Sequence, residues 1–166
     1  MTKQLVDTIH EHLMEANRNW PMHAFSHAEG QAVYLERRLA RCVGEAEVEH
    51  CVATVKENAD GSIDYAAVLV TKAWVVTGEL KASAERGEQR IPDGAVHVVP
   101  RSAIKGLTLH NVEYFGHDEN EQGKDYVAFT AAFEGMSPVI VAPPGRGATN
   151  DGRTSRLFDA FKDDLG

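Results

Sequence analysis

Apolar residues recur every three or four positions at the start of the chain, at Leu5, Ile9, Leu13 and Ala16. That spacing places them on one face of a helix. The helix is expected to stop near Trp20-Pro21, because a residue before proline avoids helical geometry. A second stripe follows at Ala28, Ala32, Leu35 and Leu39. Ser26 and Glu29 have the spacing of a capping box at its start. Arg37, Arg38 and Arg41 lie toward its C-terminal end, where positive charge suits the helix dipole, and Gly44 offers a stop. From Glu47 the period falls to two: Val48, His50, Val52 and Thr54 alternate with Glu49, Cys51, Ala53 and Val55, the mark of a strand. Asn58 to Ser62 supplies a turn whose Asp60-Gly61 pair tolerates positive φ. Strands are expected over 63–71 and 73–80, and 81–93 reads as a solvated loop. Four more strands are expected over 96–99, 105–115, 125–133 and 138–142, with Val127, Phe129, Ala131 and Phe133 as the clearest inward face. The acidic stretch 116–124 reads as an exposed hairpin connection. A final helix is expected from Arg153 to Leu165, with Leu157, Phe158, Phe161 and Leu165 on one side as core.

Two helices, about seven strands and a closing helix make the element count of a pleckstrin-homology-like (PH-like) barrel with an N-terminal extension. The local residues resemble that family in its bacterial form. Ala67-Val68-Leu69-Val70-Thr71-Lys72-Ala73-Trp74-Val75-Val76 resembles its hairpin of two hydrophobic strands, whose turn begins with a threonine and a charged residue. Val98-Val99-Pro100-Arg101-Ser102-Ala103-Ile104 resembles its next landmark, a strand leading through a short polar segment to an isoleucine, and Leu157-Phe158-Asp159-Ala160-Phe161 resembles its closing helix. The resemblance covers about residues 47–165. It implies an α+β fold: an antiparallel open barrel of about seven strands, a C-terminal capping helix and a two-helix extension. The division is then 1–44 for the extension and 45–166 for the barrel. The resemblance implies a role in binding or assembly and no catalytic residues. Many eukaryotic members hold phosphoinositides with basic residues in the first hairpin. Here that turn is Glu57-Asn58-Ala59-Asp60-Gly61-Ser62 with Lys56 beside it, which would repel a polyphosphate headgroup.

At 166 residues the chain is long enough to bury a core without metals or disulfides. Its formal charge of −8 argues against general nucleic-acid binding or an anionic membrane partner, since both need a basic field. Cys42 and Cys51 read as two free thiols in a reducing compartment. The first residues lack an apolar signal core, and no segment approaches the roughly 18 apolar residues of a membrane helix. A cytoplasmic location is the resulting expectation.

Candidate chemistry is sparse. His10, His12, His23 and His27 cluster near the start, but His10 and His12 are two apart and point different ways on a helix. No metal site and no cofactor are expected. Gly145 to Gly152 is glycine-rich yet lacks a Walker pattern. Arg146, Gly147 and Arg153 still form a candidate anion site, since the amides there lead to a helix N-terminus. Asp118, Glu119 and Glu121 lack calcium-loop spacing, and no nucleophile elbow is present. The resulting expectation is a non-catalytic module for protein–protein recognition or homo-assembly. The alternatives are a barrel that takes a small molecule or anion, and an enzyme with a dispersed site. A deep, partly polar pocket would favour the small ligand. A filled interior would favour a protein partner, and two or more titratable groups in a pocket would favour an enzyme. The face Leu5-Ile9-Leu13 is not needed by a barrel core, so a dimer through the extension is also expected.

Overall fold

A computed structural model of the chain describes residues 2–21, 29–83, 91–114, 125–145 and 147–166. Three helices, α1 (Lys3–Ala16), α2 (Ala32–Val43) and α3 (Arg153–Asp164), accompany seven strands. These are β1 (Val48–Glu57), β2 (Ile63–Thr71), β3 (Trp74–Ala82), β4 (Asp93–Pro100), β5 (Ile104–Glu113), β6 (Tyr126–Phe133) and β7 (Val139–Val141). The strands form two antiparallel sheets, ordered β1-β2-β3-β4 and β5-β6-β7. Among the described residues no strand pairing joins the two, so the expected barrel is a pair of sheets without closure. The changeover is local. Pro100, which has no N–H to continue a ladder, ends β4, and a single 3-10 turn at Arg101–Ala103 redirects the chain into β5.

The first sheet is covered by the N-terminal helices on one face and, at one end, by the second sheet and α3 on the other. Its odd β1 and β2 positions, Cys51, Ala53, Tyr65, Ala67 and Leu69, pack with Ile9, Leu13, Leu35 and Leu39 of the N-terminal helices. Its even positions, Val52 and Val70, pack with Phe129 and Phe133 of the second sheet and with Leu157 and Phe161 of α3. Gly78 marks where α2 crosses β3: a Cβ there would lie 2.8 Å from Leu35 Cδ1 and 3.0 Å from Leu39 Cδ2. The face Leu5-Ile9-Leu13, read from the sequence as spare, is therefore covered by the chain's own sheet and second helix. Ile9 is 2% exposed and Leu13 0%, with Leu5 packed beside them.

Several local readings match the structure and some shift. Gly44 ends α2 at φ 61°, its N–H donating to the Ala40 carbonyl. The β1–β2 turn closes with an Asn58 N–H bond to the Ser62 carbonyl at 2.8 Å, with Gly61 at φ 81°. Helix α1 ends at Ala16, short of Trp20. Asn17 is taken up elsewhere, its backbone bridging Ala148 and its side chain donating to the Ala53 carbonyl at 3.1 Å. The capping residue Ser26 and the acidic stretch 116–124 lie outside the described residues; α2 begins behind a 3-10 turn, Glu29–Gln31.

Candidate functional site

The antiparallel register sorts the inner face of the first sheet into cross-strand rows. Val52, Val68, Thr77 and His97 form one; Thr54, Ala66, Glu79 and Ala95 the next; Lys56, Asp64, Lys81 and Asp93 the last. Val52 lies in the core shared with the second sheet, whereas Thr54, Glu79 and His97 are exposed. The second sheet therefore covers only one end of this face. A cleft of about 240 Å³ opens between the small residues of the middle rows and the segment Met136 to Ala142. A second cleft, about 580 Å³, runs along β1 and is lined by Asn17, Asn19, Pro143, Gly145 and Thr149, from two segments that the Asn17–Ala148 bridge joins into one rim. Both include Val52, Thr54, Tyr126 and Ala142, so they form one continuous groove.

Six consecutive residues of β1, 52–57, line the larger cleft. Such a run is what a strand presents along its edge. The hydrogen bonds say which residues face out. Asn58 N–H bonds to the Ser62 carbonyl, so the inward pairs of the hairpin fall on even β1 positions. The Cys51 carbonyl accepts from Arg153 Nη1 at 3.0 Å, and the Ala53 carbonyl from Asn17 Nδ2 at 3.1 Å, both on the side away from β2. Ala53 and Val55 thus direct their N–H groups, and Val55 its C=O, into the groove, where none has a hydrogen-bond partner among the described residues. Thr149 Oγ1, buried in the groove wall, likewise has no partner there. Tyr126 donates its hydroxyl to the Ala142 carbonyl at 3.0 Å. Burial, reinforced by Glu113, raises its pKa.

Of the candidate anion site, Arg146 lies outside the described residues. Gly147 sits at φ 83°, its carbonyl accepting Arg18 N–H at 2.9 Å. A Cβ there would come within 2.6 Å of Asn19 and 2.7 Å of Asn17, so its role is close chain approach. Arg153 is engaged on three nitrogens. Nε and Nη2 donate to the Asp151 carboxylate at 2.9 and 2.8 Å, and Nη1 to the Cys51 carbonyl. Asp151 also accepts the Arg153 backbone N–H at 3.2 Å, so the chain supplies its own anion to the N-terminus of α3. Burial pushes the Asp151 carboxyl up, but its bonds to Arg153 and the charges of Arg153 and Arg156 hold it below the ordinary carboxylate range. The carboxylate two residues before Arg153 was the signal in the sequence for this pairing.

The remaining titratable groups are placed structurally. His10 Nδ1 lies 2.7 Å from Glu36 Oε1, which also accepts from Trp20 Nε1 at 2.8 Å; Glu36 is 5% exposed. His23 and His27 lie outside the described residues. No group of three or more metal-ligating side chains converges among those that are described. His110 Nε2 and Thr130 Oγ1 are 2.7 Å apart, but neither lines the groove. His50 titrates below its ordinary range, mainly through burial and then through Arg101. Arg101 itself donates twice to Asp164, at 2.8 and 3.1 Å, and also to Glu49 and the Thr71 carbonyl. Among the described residues no helix is long and apolar enough to cross a membrane. The groove thus offers backbone donors, amide and hydroxyl side chains and apolar walls. No protein-family model, curated protein or solved structure matches this chain.

Proposed function

We propose that the protein is a non-catalytic recognition module, PH-like in architecture, that takes a protein partner in the groove along β1. The architectural part is supported by element order, seven antiparallel strands followed by a closing helix. It is also supported by where the resembling segments meet. Arg101 of the β4–β5 corner donates its N–H to the Ala73 carbonyl of the β2–β3 turn at 2.9 Å, and its guanidinium to Asp164 of α3. The functional part rests on a single observation: a strand edge with unpaired backbone groups forms the floor of the larger cleft. Strand edges of this kind recognise other polypeptides through main-chain hydrogen bonds.

A second reading, a small-molecule carrier, is favoured by the volume of that cleft, about 580 Å³, which is typical of ligand pockets. Native mass spectrometry of protein purified from its source separates the two. The expected result is retention of a second polypeptide by the native chain and its loss from Thr54→Trp, which fills the groove from an exposed position. A stoichiometric small molecule lost from the same variant would replace the protein-partner reading.

A further inference from the structure

We propose that the occupant of the groove is an extended, uncharged peptide segment of another protein, which adds to β1 as a fifth strand of the first sheet. This rests on the reading of the groove as a protein-recognition site and names how recognition is made. The first support is the pattern of open groups. Arg153 Nη1 and Asn17 Nδ2 occupy the Cys51 and Ala53 carbonyls, ending any ladder at that point. Beyond it the Ala53 N–H and both backbone groups of Val55 stand free among the described residues. Two outward residues in alternating positions are what an added strand pairs with.

The second support is that β1 lacks the usual protection of an edge. Natural edges are blunted by prolines, bulges or shortness. Strand β4 is bounded by Pro92 and Pro100, β5 carries two register shifts, and β7 has three residues. Strand β1 carries one register shift at its start, between Val48 and His50, and from there pairs with β2 in unbroken register to Glu57, the stretch that lines the groove. Its protection is the rim that the paired segments 16–19 and 147–149 raise beside it. A second copy would have to offer a β1 behind the same rim or one of the blunted edges β4, β5 and β7, which favours a free extended segment of another protein. The chain itself already uses the rim in this way. Ala148 bridges Asn17 in antiparallel fashion, with Arg18 N–H on the Gly147 carbonyl and Thr149 N–H on the Ala16 carbonyl.

The third support is charge. Around the larger cleft Lys56 is offset by Glu57 and Arg153 by Asp151, so no net field selects a charged segment. Side chains of the added strand that point inward would meet Val52, Thr54, Tyr126 and Ala142, a surface suited to small or β-branched residues. Prolines at the paired positions would remove the needed donors.

The test uses the full 166-residue chain and a phage-displayed library of random decapeptides. Selected peptides should be uncharged at alternate positions and should slow amide exchange at Ala53 and Val55. Val55→Pro removes an outward N–H while leaving the even-position bonds to β2. It should weaken those peptides by about tenfold or more. Thr54→Trp is the second variant, and should abolish binding with an unchanged melting temperature. Peptides that bind both variants as well as the parent overturn the inference, as does protection confined to β4 or β5. In either case the recognition-module reading survives at another surface. Failure to enrich any peptide, together with a retained small molecule in the native mass spectrum, removes both.

Discussion

At the scale of single residues, the two cysteines show how far environment separates identical groups. Cys42 is exposed on α2, while Cys51 lies in β1 between the helices and the sheet. Burial pushes the Cys51 thiol up to about 12 despite the nearby Arg153 charge. Native protein should therefore react with a thiol reagent at one site, and denatured protein at two. The linkage follows in sign. An unfolded cysteine releases its proton near pH 8.5, whereas folded Cys51 holds it to about 12. Stability is then lost as pH rises across that window. Urea midpoints at pH 8 and pH 10 should fall further apart in the parent than in Cys51→Ala. Little of this was legible beforehand, because the alternation of β1 places a thiol on a strand without saying what covers it. Arg153 makes the same point. Its position before α3 suggested an external anion, and the structure gives it Asp151 instead.

At the scale of elements, periodicity carried most of the information. The reading of 63–71 as a strand coincides with β2, and the inward set Val127, Phe129, Ala131 and Phe133 is buried. Helix α3 buries Leu157 and Phe161 completely, with Phe161 edge-on to Phe129 and Phe133, and Phe158 in part; Leu165, expected in the same core, lies beyond the helix end at Asp164 and is exposed. Phe161→Ala should cost about 3–5 kcal/mol, read as a fall in the chemical-denaturation midpoint at unchanged slope. Glycines carried information that periodicity did not. A Cβ on Gly94 would sit 2.2 Å from the Glu79 carbonyl oxygen and 2.9 Å from Leu80 Cα, both backbone atoms that cannot step aside. A Cβ on Gly106 of β5 meets nothing within 4 Å. Gly94→Ala should lose about 1–3 kcal/mol by forcing β4 from β3, while Gly106→Ala should be near neutral, in a side-by-side thermal melt. The groove left no comparable trace, since its floor is backbone and its walls come from segments far apart in the chain.

At the scale of the whole molecule, helices and sheet share a core. Residues Ile9, Leu13, Leu35 and Leu39 share one core with Tyr65 and Leu69, so a chain begun at residue 45 would leave one sheet face bare. We expect that truncation to abolish cooperative unfolding and to bind the dye ANS. A truncated form with a sharp melt would show that the sheet pair folds alone. The apolar run Val68-Leu69-Val70 held a hint of this two-sided burial, because strands covered on both faces lose the alternation of polar residues. The hint is faint, since a short apolar run does not say how many layers cover it. Two cores on opposite faces of one sheet also set how the chain tolerates changes in length. An insertion of one residue in β1 or β2 would turn every following side chain over, sending Val52 or Val70 toward the helices and Ala53 or Leu69 toward the second sheet. Strand β5 already absorbs two register shifts against β6. Strand β1 absorbs one only at its start, between Val48 and His50. Length variants should therefore be accommodated in β5 and excluded from β1 beyond His50 and from β2, so that a scan of single-residue insertions would trace the two-sided strands without any structural measurement.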